Sequence, residues 1–229
     1  MKFYTIIPAA GSGSRFKNKI PKQFLKIEGK EIIAYVLKKF NNLKEINSIV
    51  ISSQKIYFKK IAKISLDNNF EKVIQIVEGG RERMDSVYNA LIKLKCNADD
   101  YVIVHDAVRP FITLKKIKEL MQAAKVYNAV VPALKINDTI KKFNDKNFFE
   151  KSIDRDKLFK IQTPQIFRYD ILMNAFDKAY KKKFFSTDES SIVQFAGYPV
   201  KAIEGEQTNI KITTQDDLKF SELFKYLTK

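Results

Sequence analysis

Phe3-Tyr4-Thr5-Ile6-Ile7-Pro8-Ala9-Ala10-Gly11-Ser12-Gly13-Ser14-Arg15 is the stretch whose reading decides the fold. Phe3–Pro8 is short and apolar, as a buried strand is, and small residues follow it at once. A chain passing from a buried strand into glycine and serine presents consecutive backbone N–H groups, which form an anion-binding nest. Arg15 adds a planar cationic fork suited to phosphate oxygens. Two familiar loops are excluded: a dinucleotide fingerprint wants a small residue where Phe16 stands, and a P-loop wants Gly-Lys-Ser/Thr. Further on, Lys22 follows the stiff Pro21 in a stretch too irregular for core. Two cations near a nest would neutralise charge building on a transferring phosphoryl group.

Outward from this stretch, strands and helices alternate. Ser48–Ser53, Val73–Glu78, Tyr101–His105 and Ala129–Ala133 read as further buried strands. Glu31–Phe40, Ile56–Asn68, Met84–Lys95 and Leu114–Tyr127 carry apolar residues at helical spacing. The alternation predicts an α/β fold: a Rossmann-like, mostly parallel twisted sheet with helices on both faces. Ligands of such sheets sit beyond the carboxyl ends of the strands. From about 136 to 156 the pattern breaks into two alternating runs around Asn144-Asp145-Lys146-Asn147, which predicts a projecting β-hairpin arm. An isolated hairpin cannot bury its own apolar positions, so a second subunit is a natural cover. Helices resume at Tyr169–Lys181 and Asp188–Phe195, with Thr187 a candidate N-cap. A final strand pair, Val200–Glu204 and Asn209–Ile212, leads into a terminal helix from about Thr214. The expected organisation is one domain over residues 1–229 with the arm attached.

Composition narrows the class. With 45% hydrophobic residues over 229 positions, the chain has ample material for a core. No apolar run is long enough to span a bilayer, and the stretch from Phe3 is too short for a signal peptide, so a cytoplasmic location is expected. Cys96 is the single cysteine, which excludes an internal disulfide and a thiolate metal cluster. The formal charge of +16 invites an anionic partner, either nucleic acid or a phosphorylated small molecule. Its lysines are dispersed along the chain, as solvated helix faces are, which argues against a nucleic-acid stripe.

Other candidate residues stand at predicted strand ends. Gly79-Gly80-Arg81-Glu82-Arg83 could bring backbone edge-on to a base, and Ser86 could donate a hydrogen bond to it. Asp106 and Arg109 leave the fourth strand, one able to hold a metal or accept from a hydroxyl, the other to bind phosphate. His105, the only histidine, reads as packed and hydrogen-bonded rather than as a base. Lys211 stands among isoleucines in an apparent strand and needs an anion to meet it.

Together these segments resemble the 2-C-methyl-D-erythritol 4-phosphate cytidylyltransferases. The resemblance runs through Pro8–Arg15, Pro21-Lys22-Gln23, Gly79-Gly80 with Arg83 and Ser86, His105-Asp106-Ala107 with Arg109-Pro110, Asp138-Thr139, Thr163-Pro164-Gln165, Thr187-Asp188, Glu204-Gly205 and Asn209–Thr213. It implies transfer of a cytidylyl group from CTP to 2-C-methyl-D-erythritol 4-phosphate, giving 4-diphosphocytidyl-2-C-methyl-D-erythritol and pyrophosphate in the non-mevalonate isoprenoid pathway. It assigns Arg15 and Lys22 to the triphosphate in the transition state, and Arg155 and Lys211 to positioning of the acceptor phosphate. Pro8, Ala9, Ala10, Gly11, Gly13, Gly80, Arg81, Ser86 and Ala107 correspond to nucleotide-binding positions. Asp106, Arg109, Thr139, Thr163 and Thr187 correspond to acceptor-binding positions. Arg81 departs from the family, in which an acidic residue is common there. A homodimer is implied, with Thr139 and Arg155 of each arm serving the neighbouring site, and so is Mg²⁺ or another divalent cation accompanying CTP. The metal ligands stay unassigned, and neither nucleic acid nor membrane is expected as a partner. The closest rival reading is a ribitol-5-phosphate cytidylyltransferase, whose motifs overlap heavily. A rival of another class is a non-catalytic basic nucleic-acid-binding module.

Overall fold

The computed structural model describes residues 1–11 and 20–227, the side chains of 222–227 excepted. Its strands are β1 (Phe3–Pro8), β2 (Lys26–Ile27), β3 (Lys30–Glu31), β4 (Ile46–Ser53), β5 (Val73–Glu78), β6 (Tyr101–Val104), β7 (Ala129–Lys135), β8 (Ile140–Phe143), β9 (Phe149–Ile153), β10 (Phe159–Ile161), β11 (Gln165–Arg168) and β12 (Lys201–Glu204). The helices are α1 (Ile32–Asn41), α2 (Phe58–Asp67), α3 (Arg83–Leu91), α4 (Leu114–Tyr127), α5 (Tyr169–Lys181), α6 (Glu189–Phe195) and α7 (Gln215–Leu227). The main sheet runs β10-β7-β11-β6-β1-β4-β5, with β12 also paired to β7. It is mostly parallel, as predicted, with β10 and β11 running against the rest.

The period-two alternation of the strands divides the core between two faces. Phe3 and Ile7 of β1 join Ile49, Ile51, Tyr101 and Ile103 against α1, α2 and α4, around Phe40, Ile61 and Ile117. Tyr4 and Ile6 join Val50, Val102 and Val104 against α3, α5 and α6, around Val87, Phe176 and Ile192. Truncating one of these fully buried side chains, Ile6→Ala for instance, costs about 2–5 kcal/mol. Helix ends are capped locally: Thr113 Oγ1 accepts from the Lys116 N–H at 3.0 Å, and α4 ends at Asn128 in the left-handed region with φ 61°. Glu82 and Asp85 form a capping box at α3.

Three expectations are revised. The cap of α6 is Asp188, which accepts from the Ser191 N–H at 3.3 Å, and not Thr187. The supposed final strand pair does not exist, because β12 pairs in parallel with β7 and Asn209–Ile212 is irregular. Backbone groups of that segment are engaged by turns and side chains instead of a ladder, as described below. β10 and β11 were not anticipated; they are short, and β11 fits between β6 and β7 only as a non-local pairing. The hairpin of β8 and β9 is present as a separate two-stranded sheet. Phe143, Phe148 and Phe149 on it are exposed. No helix among the described residues is long and apolar enough to cross a membrane.

Candidate active site

The loops that leave β1 and β5 are stitched to the end of β4. The Ala9 N–H donates to the Ser52 carbonyl at 2.7 Å, and the Gly79 N–H to the Ser53 carbonyl at 2.8 Å. This closeness explains the glycine pair: a Cβ on Gly79 would lie 2.3 Å from the Ala10 Cβ, and one on Gly80 would lie 2.1 Å from the Asp85 Cβ. Two amides then fix Ala9 and Ala10, the first residues beyond β1. Gln23 donates to the Ala9 carbonyl at 2.6 Å, and Gln54 to the Ala10 carbonyl at 3.0 Å. Gln23 is buried, so its neighbour Lys22 is held at the rim of a cavity of about 550 Å³. Pro8, Ala9, Ala10, Gly11, Gly80, Arg81, Ser86 and Ala107 line the same cavity.

At the end of β6 the polar residues form a hub on Asp106, which is only 5% exposed. Arg83 Nε donates to its Oδ1 at 3.2 Å, Arg109 Nε to its Oδ2 at 3.2 Å, and Lys211 Nζ lies 3.0 Å from that Oδ2. Burial works to raise the Asp106 pKa, but Arg83, Lys211 and Arg109 more than offset it and hold the carboxyl well below the usual carboxylate range. Arg83 Nη1 also donates to Glu189 Oε1 at 2.6 Å and to the Thr187 carbonyl at 3.2 Å, tying the start of α6 to this hub. Behind it runs a fixed chain of hydrogen bonds. The Asp106 N–H donates to Thr163 Oγ1 at 3.0 Å, and Thr163 Oγ1 lies 3.2 Å from His105 Nδ1. His105 Nε2 lies 3.1 Å from the Arg109 carbonyl. A carbonyl can only accept, so Nε2 carries the proton and Nδ1 accepts from the threonine. Burial pushes His105 down to about 4, so the imidazole is neutral at physiological pH.

A second cavity, of about 480 Å³, opens on the other side of this hub. Arg109, Gln162, Thr163, Gln165, Thr187 and Asp188 contribute to its wall. Arg83, Asp106 and Lys211 line both cavities. Two compartments thus meet at a carboxylate bracketed by three cations.

The chain matches the family model of 2-C-methyl-D-erythritol 4-phosphate cytidylyltransferase over residues 3–228. The chain belongs to this family. The enzyme so named from Geobacillus thermodenitrificans is 38% identical over 97% of this chain and 96% of its own length. That from Dictyoglomus thermophilum is 40% identical over 96% of this chain and 95% of its own. The crystal structure of the Francisella tularensis enzyme superposes with a TM-score of 0.84 at 34% identity, covering 97% of this chain and 99% of that one.

Within this cytidylyltransferase fold the anticipated residues divide into three groups. Gly13 and Arg15 lie outside the described residues. Pro8, Ala9, Ala10, Gly11, Lys22, Gly80, Arg81, Ser86, Asp106, Ala107, Arg109, Thr163, Thr187 and Lys211 are brought together around the two cavities. Thr139 and Arg155 are exposed, and neither lines either cavity of its own chain. Arg155 Nη1 donates instead to the Asn137 carbonyl at the base of the arm. The anion that Lys211 called for is Asp106. The Ser86 hydroxyl accepts from the Gly80 N–H at 3.0 Å and donates to the Glu82 carbonyl at 3.1 Å, so it shapes the turn. Cys96 lines neither cavity and packs against the apolar cluster of α3, α5 and α6, where burial pushes its thiol up to about 12.

Sequence reasoning missed the roles of Arg83, Glu189, Gln162 and Asn209. Each is a polar residue whose partners lie far along the chain, and nothing local marks such a residue. Among the described residues no group of three His, Cys, Asp or Glu could hold a metal ion. Both oxygens of Asp106 are already engaged by cations.

Proposed function

We propose that this member of the cytidylyltransferase family joins CTP to 2-C-methyl-D-erythritol 4-phosphate, giving 4-diphosphocytidyl-2-C-methyl-D-erythritol and pyrophosphate in isoprenoid-precursor synthesis. The observation that carries the reading is the pair of adjoining cavities that share Arg83, Asp106 and Lys211. One has small residues along its wall, Ala9, Ala10, Gly11, Gly80 and Ala107, which suit a nucleotide, and the other a hydroxyl- and cation-rich wall suited to a polyol phosphate. A non-bridging oxygen of the acceptor phosphate forms a bond to the α-phosphorus. The bond from that phosphorus to the bridging oxygen on its far side breaks in line, and pyrophosphate leaves with the electron pair. Two anions must approach each other for this, so cations supply most of what the protein contributes.

In this reading Arg15 and Lys22 stabilise charge on the triphosphate. Lys211 and Arg155 hold the acceptor phosphate, while Asp106, Arg109, Thr139, Thr163 and Thr187 orient the acceptor. Thr163 works indirectly, because its hydroxyl proton is directed to His105 and its oxygen receives the Asp106 N–H. A divalent cation such as Mg²⁺ belongs to the nucleotide substrate and neutralises its phosphates. Thr139 and Arg155 serve the neighbouring site of a homodimer. Support for that comes from the exposure of Phe143 at 54%, Phe148 at 69% and Phe149 at 64%, a run of aromatic surface that a second chain would cover.

Pyrophosphate release from CTP tests the proposal, with each polyol phosphate supplied in turn. Release with methylerythritol phosphate and not with ribitol 5-phosphate is expected. Release confined to ribitol 5-phosphate would overturn the acceptor assignment, and no turnover with any nucleotide would overturn the reaction.

A further inference from the structure

Lys211 reaches Asp106 from a segment without regular secondary structure. A lysine on such a segment keeps its place only if its backbone is anchored on both sides. Downstream the anchor is plain: the Ile212 N–H donates to the Val108 carbonyl at 2.9 Å, and the Ile212 side chain is fully buried with Ile27 and Ile32. Upstream several contacts hold the chain, among them the Gly205 N–H to the Ala133 carbonyl at 2.9 Å and Thr113 to the Glu206 carboxylate, and one side-chain amide sits at their centre. Gln162 Nε2 donates to the Glu206 carbonyl at 2.9 Å and to the Asn209 carbonyl at 3.2 Å. Its Oε1 accepts from the Glu206 N–H at 3.1 Å and from Asn209 Nδ2 at 3.5 Å. The turn from Gly205 to Asn209 is therefore held from within by one amide that both donates and accepts. Gly205 allows this approach, since a Cβ there would lie 2.6 Å from Gln162 Oε1. Asn209 completes the clamp: it is fully buried, donates to the Thr163 carbonyl at 2.8 Å, and accepts from Arg109 Nη1 at 2.9 Å.

Gln162 also faces the other way along the chain. It follows β10 directly, and its N–H donates to the Pro132 carbonyl of β7 at 2.8 Å. β10 begins just beyond Arg155, where the Leu158 N–H donates to the Arg155 carbonyl at 2.9 Å. One amide therefore links the strand returning from the arm to the segment that carries Lys211.

We infer that Gln162 is a positioning residue for the acceptor phosphate: its amide sets the backbone that carries Lys211 beside Asp106. Neither a carboxylate nor an apolar side chain can replace it, because the site needs donors toward two carbonyls and an acceptor toward two N–H groups. Glutamate would turn oxygen toward the Glu206 and Asn209 carbonyls, and methionine would leave all these groups unsatisfied. The inference rests on the proposed role of Lys211 toward the acceptor.

The test is a double-mutant cycle on the intact protein with CTP and methylerythritol phosphate. Gln162→Glu is expected to lower kcat/KM for the acceptor by about tenfold or more, the size of one or two hydrogen bonds, with KM for CTP within about twofold. In the Lys211→Ala background the same substitution should cost little, since its effect passes through that lysine. Gly205→Ala, which presses on the amide from the opposite side, should reproduce the acceptor-selective loss and guards against a Gln162 variant that fails to fold. An equal loss with and without Lys211 would overturn the inference, as would an effective Lys211→Ala beside neutral Gln162→Glu and Gly205→Ala. Should Lys211→Ala itself leave acceptor kinetics unchanged, the proposed role of Lys211 falls, and the inference with it.

Discussion

The Asp106 hub and the hairpin arm dispose charged and aromatic groups in opposite ways. Around Asp106 each charge has a partner from the same chain: Arg83, Arg109 and Lys211 share the carboxylate, and Glu189 answers Arg83. Burial makes these contacts geometrically strict, because an unpaired charge there is costly. The arm has few such partners. Its strands pair with each other, its Phe143 and Phe149 rings lie 4.9 Å apart on an exposed surface, and Lys142 meets Glu150 in solvent at 2.9 Å. The difference teaches that the charges of the hub are satisfied within a chain, while the arm presents aromatic surface that its own chain leaves exposed.

The hardest blow to the hub is Asp106→Asn. It removes the charge shared by three cations, so stability should fall by about 3–5 kcal/mol in denaturant melts and acceptor turnover should collapse with it. A variant as stable as the parent would mean that the cations are solvated and the hub is not a unit. Lys22→Ala separates catalysis from folding. Turnover should drop by roughly 10²–10³-fold while the melting midpoint stays nearly unchanged, since the role proposed for this cation is toward charge that develops during reaction. Comparable losses in both would assign Lys22 to structure.

His105 sharpens the contrast through pH. Its folded pKa of about 4 lies below the usual 6.5, so the neutral form favours the fold. That contribution is complete above pH 6.5 and is lost as pH falls toward 4, about 3 kcal/mol across the window. Urea titrations should show this slope in the parent and a flatter one in His105→Gln; identical slopes would count against the buried neutral imidazole. The smallest effect on the folded chain is expected in the arm. Phe143→Ser with Phe149→Ser should change monomer stability by less than about 1 kcal/mol. The same pair should weaken self-association in sedimentation and raise KM for the acceptor more than for CTP. Unaltered sedimentation and kinetics would break the proposed role of the arm.

Legibility followed the locality of the signal. β1, β5, α4 and α5 end at the residues anticipated, because alternation, helical spacing and punctuating residues are local properties. Asn209–Ile212 looked like a strand for the same reason, yet Gln162, Arg109 and Val108 engage its backbone groups from elsewhere in the chain. Thr187 looked like a cap, but Asp188 beside it does that work while the Thr187 carbonyl answers Arg83. His105 is packed and hydrogen-bonded, as its solitary place at a strand end suggests, while its partner Thr163 comes from far along the chain.

The sequence by itself determined the strand–helix alternation, the small-residue loop after Phe3–Pro8 and the residue types gathered at strand ends, and with them the family. Only the tertiary structure decided that Lys211 meets Asp106, that Arg83 lines both cavities, and that Gln162 holds the turn from Gly205 to Asn209. The physical reason is distance along the chain. Periodicity and capping act over a few residues, whereas buried charges and amides are satisfied by whichever partners the packed sheet brings within about 3 Å.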